Sequence, residues 1–445
     1  MALGLKTDLY QLTMAAGYFR AGKASQRTTF ELFVRSLPTN RNFILAAGLA
    51  QAVEYLLDLR YTKEEIDYLR ALPQFAKAGD DFFDLLAEFR FTGDLFAVPE
   101  GTPMFAGEPL LTVRAPLMEA QIPETYLLSM IGYQTLIATK AARAVRAAQG
   151  RSVVDFGTRR GHGPEAGVYA ARAAYLGGCA GTSNVEAGLR YGVPVVGTAA
   201  HSWVMSFEQE REAFERLQNL LGERTIYLLD TYDTVEAARV AVSLGRPMLG
   251  VRLDSGNLFE LAPAVRKILD EGGFTEAKIM ATGDLNEHKI HELVAARVPI
   301  DMFAVGTELV TSADAPTLGV VYKMVEIDRD GEVRYTLKLS TGKHTLPGPK
   351  QIFRFADHDV LARSSECFSC DKSDGVEALQ RPVIIGGQLL EPLPTAAQAR
   401  ANAAARLAKL PAPCHSLFTV EDSWKVNLSP ELVQLTEEVR KEIAG

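Results

Sequence analysis

Between Gly250 and Asn257 the sequence reads GVRLDSGN, which sets Arg252 and Asp254 two residues apart at the end of an apolar run. Residues two apart on a strand point to the same side. A guanidinium and a carboxylate would then face one ligand together, a pairing that suits an anionic group beside a sugar diol. The alternative is a structural ion pair, although charged side chains at barrel interiors are seldom there for packing. A second stretch, VVDFGTRRGHGPEA from Val153 to Ala166, reads as strand, charged turn and helix start. Val153 and Val154 are β-branched, Gly157 and Gly161 open the turn, and Pro164 with Glu165 suits a first helical turn. Asp155, Arg159 and Arg160 are expected to cluster there, where glycine lets a phosphorylated ligand approach backbone N–H groups near a helix N-terminus. The competing reading is a solvated, charged turn.

Weaker signals repeat the arrangement. His201 sits among small residues in GTAAHS, in reach of a general-acid or nucleophile role if it shares a rim with Arg159, Arg252 and Asp254. His162 is the substitute, and an idle loop histidine the alternative. In ATGDL, Asp284 follows Gly283 at an expected strand end, and in VGTE, Gly306 and Thr307 offer N–H groups and a hydroxyl to a phosphate. No P-loop ending in Lys-Ser or Lys-Thr occurs, and no Rossmann G-x-G-x-x-G follows a strand.

Such residues need a scaffold that delivers them to one rim. Between Ser152 and Thr307 there are seven short strand candidates: SVVDF, GGCAG, VPVVG, TIYLL, PMLGVRL, KIMAT and IDMFAVG. Helical patterns separate most of them, so the intervals predict a parallel sheet closing into a barrel, with an open doubly wound sheet as competitor. Polar and glycine residues follow nearly every candidate, as they do on the ligand-binding rim of a barrel. Before this region lie a helical pattern over 4–20 with Thr7 and Asp8 as cap, a strand in TTFELFVRSLP, helices over 48–59 and 63–72, and a meander over 91–116. A helical connector covers 119–149. After Leu318, two alternating runs flank Asp330-Gly331, a hairpin signal, and helices are expected over 395–410 and 430–443. The division is 1–148, 149–318 and 319–445.

The net charge of −8 argues against nucleic acid or an anionic membrane as partner, and 47% hydrophobic with 23% charged residues is ordinary globular composition. No charged-then-apolar leader opens the chain and no run of about 18 apolar residues occurs, so a cytoplasmic location is expected. Four cysteines do not make a disulfide framework. Cys367 and Cys370 form a C-x-x-C, with Cys414-His415 far downstream; a structural zinc would need all four to converge, and reduced thiols are the alternative.

The combination TDLYQLTMAAGY, FELFVRSLP, DFGTRRGHGPEA, GTSNVEAG, GTAAHS, GVRLDSGNL, ATGDL and VGTEL resembles nicotinate phosphoribosyltransferases over residues 5 to 325, and more loosely beyond. The resemblance implies formation of nicotinate mononucleotide from nicotinate and 5-phosphoribosyl 1-diphosphate, coupled to ATP hydrolysis with Mg²⁺. It implies an irregular α/β barrel of the type II phosphoribosyltransferase kind joined to a mixed α+β domain built from N- and C-terminal segments, in a homodimer with shared active sites. Carried onto this chain, Tyr10 from the partner subunit and Phe156 would sandwich the pyridine ring, and Thr198 with Arg252 would hold nicotinate. Arg159 would meet anionic groups, Asp254 and Asp284 the ribose hydroxyls, Gly306 and Thr307 the 5-phosphate; Ser202 and Gly283 belong to the same substrate-binding set. His201 would be the histidine that ATP phosphorylates. Nicotinamide- and quinolinate-using relatives, or a non-catalytic nucleotide-binding homologue, are the alternatives. Ser183 stands where the nicotinamide-using relative carries an aspartate that accepts from the amide, and a dicarboxylate would need more basic residues.

Overall fold

The computed structural model describes residues 3–329, 331–339, 345–368 and 375–444. The chain divides into two compact units, one of residues 1–135, 317–394 and 405–445, the other of 136–316 and 395–404. The sequence division put its first break after residue 148; the observed division falls inside the long helix Glu124–Ala147 and assigns part of the helix Ala396–Leu407 to the second unit. Among the described residues no helix is long and apolar enough to cross a membrane.

The second unit is built on six parallel strands: β1 (Ser152–Asp155), β2 (Gly181–Thr182), β3 (Ile226–Leu228), β4 (Gly250–Leu253), β5 (Lys278–Ala281) and β6 (Met302–Val305). Their order in the sheet is β2-β1-β6-β5-β4-β3. Read as a ring, every neighbour is also the next strand in the chain, and the first strand pairs with the last. A doubly wound sheet would reverse its order part-way, so the ring order is that of a barrel. The ring is irregular at one place. VPVVG, expected as a full strand, contributes a single bridge, Val195 to Thr182, and among the described residues no ladder continues from it to β3. GGCAG likewise yields only one strand residue, Gly181 of β2. Both stretches are rich in glycine or proline, which weakens a strand and removes ladder donors. Val154, Ile226, Met280 and Ala304, from four different strands, fill the sheet's apolar cluster.

Part of the polar repetition after the strands has a plainer cause than ligand binding. Asn184, Asp233, Asn257 and Asn286 each accept a first-turn N–H at the start of the following helix, satisfying donors that have no partner within the helix. In these four motifs the last polar residue is therefore committed to capping a helix.

A buried ion network ties the connector helix to the unit. Lys140 Nζ lies 2.7 Å from Glu287 Oε2 and 2.7 Å from Asp314 Oδ1, while Arg143 Nε donates to Glu287 Oε1 at 2.8 Å. Burial pushes the Glu287 carboxyl up, but Lys140 and Arg143 outweigh it and hold the group below the usual glutamate range.

The first unit carries a seven-stranded sheet in which all pairs are antiparallel, ordered 332–335, 320–329, 27–34, 109–116, 94–97, 381–385 and 388–389. N- and C-terminal segments interleave in it, as the resemblance implied. The strand Arg27–Val34 is buried on both faces rather than one, because Glu31, fully buried, pairs with Lys350 Nζ at 2.7 Å. The first helix runs Leu9–Arg20, and Asp8 does not cap it; its carboxylate instead accepts from Thr125 Oγ1 at 2.8 Å.

Removing one partner of a buried pair leaves an unpaired charge and costs about 3–5 kcal/mol. Glu287→Gln is therefore expected to lose about 3 kcal/mol in urea unfolding at neutral pH. Because the folded-state pKa of Glu287 is depressed, its contribution is present above the ordinary glutamate value and disappears as pH falls through the depressed one. The gap between wild type and variant should narrow on acidification; a gap under about 1 kcal/mol at neutral pH, or one that widens in acid, contradicts the assignment.

Candidate active site

Arg252, on β4, is 8% exposed and spends most of its donors inside the protein. Nε donates to Thr282 Oγ1 at 3.0 Å, Nη1 to Thr198 Oγ1 at 2.9 Å and Ala199 O at 3.3 Å, and Nη2 to Asp254 Oδ1 at 2.5 Å. The Thr198 and Ala199 bonds tie β4 to the stretch that follows the Val195 bridge. Its Cζ lies 5.8 Å from the centroid of the Phe156 ring. The fork thus has an aromatic face beside it and a carboxylate at one edge, with an Nη2 hydrogen still to place.

Asp254 has three partners: the Arg252 fork, the Thr282 hydroxyl, and His201 Nε2 at 3.6 Å from Oδ2. Burial raises its pKa, but hydrogen bonds from Thr282 and Arg252 and the charges of Arg252 and His201 prevail, and the carboxyl ionises below its ordinary range. It is an anion at neutral pH. His201 opens the helix His201–Met205, and its Nδ1 is 3.3 Å from Thr231 Oγ1. Asp230, just past β3, brings a third carboxylate or imidazole ligand atom within 4.8 Å of those of His201 and Asp254. Ser255 Oγ donates to Asp230 Oδ2, whereas Oδ1 is buried with no partner.

Gly283 fixes the floor. Its φ is +84°, and a Cβ there would stand 1.9 Å from Asp254 O. Asp284 follows at φ +47°, exposed, a sparsely occupied conformation for a side-chain-bearing residue and one that marks functional sites. Gly306 and Thr307 lie beyond β6, where Thr307 opens the short helix Thr307–Val310; Phe156 N donates to Val305 O at 2.9 Å, so the ends of β1 and β6 meet.

The expected Asp155, Arg159 and Arg160 cluster does not form. Asp155 is 1% exposed and turns inward, accepting Gly157 N at 2.8 Å and Thr182 Oγ1 at 2.7 Å. Burial raises its pKa against those two bonds. A β1 residue at that register points into the protein, so Asp155 shapes the turn instead of meeting a ligand. Arg159, Arg160 and His162 are exposed around it.

Residues 5–132 match the nicotinate phosphoribosyltransferase (NAPRTase) N-terminal domain, and residues 151–340 match the nicotinate phosphoribosyltransferase (NAPRTase) family. The chain belongs to the nicotinate phosphoribosyltransferase family. It is 42% identical over 435 residues to a nicotinate phosphoribosyltransferase of Mycobacterium tuberculosis, covering 96% of this chain and 92% of that one. The Bacillus subtilis nicotinate phosphoribosyltransferase is 43% identical over 362 residues, covering 79% of this chain and 73% of its own. The crystal structure of human nicotinic acid phosphoribosyltransferase superposes with a TM-score of 0.85 at 29% identity, covering 97% of this chain and 99% of that one.

Within this nicotinate phosphoribosyltransferase homologue, contacts bring together Phe156, Thr198, His201, Arg252 and Asp254, with Gly283 packed on Asp254. Ser202 is exposed on the His201 helix, and Ser183 N donates to Asp155 O at 2.8 Å just past β2. Tyr10 belongs to the other unit, 47% exposed on the helix Leu9–Arg20. Thr282, Asp230 and Thr231 are the site residues that the reading of the sequence passed over. Thr282 ends the candidate KIMAT, and Asp230 and Thr231 follow TIYLL, so position was the available signal. The proposed zinc set gains nothing: Cys370 lies outside the described residues, Cys367 is exposed, and Cys414 is buried with its thiol on Ser423 O at 3.2 Å. Among the described residues Cys367, Cys414 and His415 form no ligand cluster.

Gly283→Ala is expected to unfold about 1–3 kcal/mol more easily and to lower kcat/KM at least tenfold, because the strand-end backbone beneath Asp254 must shift. Unchanged kinetics in the folded variant would contradict the role given to this close approach.

Proposed function

We propose that this chain is a nicotinate phosphoribosyltransferase, forming nicotinate mononucleotide and pyrophosphate from nicotinate and 5-phosphoribosyl 1-diphosphate while ATP is hydrolysed alongside. One observation carries the reading. The buried Arg252 fork, flanked by the Phe156 ring and anchored by Thr198, Thr282 and Asp254, is a receptor for a carboxylate on a flat ring. In the reaction the ring nitrogen forms a bond to ribose C1 as the C1–oxygen bond to pyrophosphate breaks. That nitrogen is already nucleophilic, so no general base is required. Charge at C1 becomes positive; in this reading Asp254, ionised at neutral pH, and Asp284 take the ribose hydroxyls, and Asp254 favours that charge. Gly306 and Thr307 take the 5-phosphate and Arg159 the anionic groups of the diphosphate.

Mg²⁺ fits the acidic pair Asp230 and Asp254, since Asp230 Oδ1 is a buried acceptor without a partner; bound there it would neutralise pyrophosphate charge. His201 takes the γ-phosphoryl group of ATP: a P–N bond forms, the bond from the γ-phosphorus to ADP breaks, and the phosphoenzyme is later hydrolysed. Thr231 holds the ring by Nδ1. The active form is a homodimer in which Tyr10 of the partner subunit covers the pyridine face opposite Phe156. Ser183, uncharged, gives a nicotinamide amide no anionic acceptor.

The test incubates protein, 5-phosphoribosyl 1-diphosphate and Mg²⁺ with nicotinate, nicotinamide or quinolinate, with and without ATP. Nicotinate should be preferred by at least a hundredfold in kcat/KM, and His201→Ala should lose acid-labile phosphorylation while keeping slow transfer without ATP. Comparable use of nicotinamide, or phosphorylation that survives in the variant, contradicts the reading.

A further inference from the structure

The first unit holds a cavity of about 350 Å³, within the range of small-ligand sites, that the proposed reaction does not use. Its floor is a single cross-strand row. The antiparallel register sets Arg114 opposite Thr29, Thr29 opposite Glu326, and Glu326 opposite Tyr335. Four neighbouring strands thus present arginine, threonine, glutamate and tyrosine on one face of the sheet. Arg27, the first residue of its strand, and Arg363, the last of the strand His358–Arg363, close the ends, with Ser364 beside them.

The three arginines are poorly satisfied by the protein itself. Arg114 donates Nη2 to Ser364 Oγ at 3.1 Å and lies 5.1 Å from the Phe96 ring centroid, but its Nε is buried without a partner. Among the described residues no carboxylate comes within ion-pair distance of it. Arg27 reaches Asp94 only at 3.6 Å, and Arg363 reaches Glu431 only at 3.9 Å, with Nη2 on Tyr335 OH at 3.4 Å. A purely structural polar row would pair its buried donors; here Arg114 Nε is buried unpaired, while Arg27 and Arg363, whose side chains keep 59% and 31% exposure, line the same cavity with only long ion pairs. Glu326 is partly spent on Thr29 Oγ1, at 2.9 Å.

We propose that this cavity is a second ligand site, which binds a phosphate-bearing small molecule between Arg27, Arg114 and Arg363. Guanidinium groups take phosphate oxygens in charge-assisted pairs, and the Ser364 hydroxyl adds a donor. Tyr335 gives a flat face for a base, and Glu326 an acceptor for a sugar hydroxyl. Inorganic pyrophosphate and a nucleotide share the chemistry of the first contact and differ in the second, so both serve as probes.

Isothermal titration of the full-length protein with inorganic pyrophosphate, and separately with ADP, should report two sites per chain. Arg114→Met/Arg363→Met should lose one of them and keep the other, with circular dichroism unchanged. Glu326→Gln, which removes a negative charge from the floor, should tighten that second site about three- to tenfold, an effect that loss of structure would not produce. Tighter binding of ADP than of pyrophosphate, reversed by Tyr335→Ala, assigns the nucleotide as the preferred class; equal binding assigns the phosphate alone. One site per chain in the wild type, or unchanged stoichiometry in the double variant, overturns the proposal. So does a Glu326→Gln variant that binds no more tightly than wild type.

Discussion

A buried guanidinium must be paired or it will not stay buried. Arg252 is the constraint around which the second unit is arranged. Thr198 comes from the stretch after Val195, Asp254 from the end of β4, and Thr282 from the end of β5. Each supplies oxygen to a different edge of the fork, so three separate segments must arrive together for any one of them to be satisfied. The Thr198 and Ala199 bonds join β4 to the stretch after the single Val195 bridge, where the ladder is thinnest. The group to which the proposed function gives the ligand therefore also holds these segments together. Under the proposed function, a substrate carboxylate arriving at Nη2 would meet a cation already positioned, with little reorganisation left to make.

The neighbouring acids are set apart by environment. Asp254 is kept ionised by Thr282, Arg252 and His201 despite its burial, whereas Asp155, at the end of β1, is raised by burial and committed to Thr182 and Gly157. In the proposed reaction Asp254 would stabilise positive charge and share a cation with Asp230, while Asp155 sets the shape of the turn beside Phe156. Residue type alone did not separate these roles; depth along the strand did.

Much of the scaffold was readable because the chain repeats one local pattern. Every strand candidate from SVVDF to IDMFAVG lies where the structure has a strand or a bridge, and the Arg252-Asp254 pair points one way because strand geometry requires it. The failures are equally local. VPVVG and GGCAG read as strands from apolar content, yet proline and glycine cut them to one bridge and one strand residue, Gly181. The turn after β1 read as a charged ligand cluster because the sequence does not say which of Asp155, Arg159 and Arg160 faces inward. The cap Asn257 falls inside GVRLDSGN, read for a ligand, since both uses call for the same residue types at a strand–helix junction. Thr282, Asp230 and Thr231 escaped notice because their roles lie in contacts across strands far apart in the chain. The Lys140, Arg143 and Glu287 network was hidden for that reason too.

The central claim is that Arg252 recognises the substrate's carboxylate rather than merely holding the rim. The most direct test is the ratio of kcat/KM for nicotinate to that for nicotinamide, measured in wild type and in Arg252→Gln with the fold verified. Recognition by the guanidinium predicts that both compounds turn over more slowly, because Asp254 loses its partner, but that the ratio collapses toward unity because nicotinate efficiency falls much further than nicotinamide efficiency. A variant that is slower with both compounds yet keeps the wild-type ratio would contradict the account.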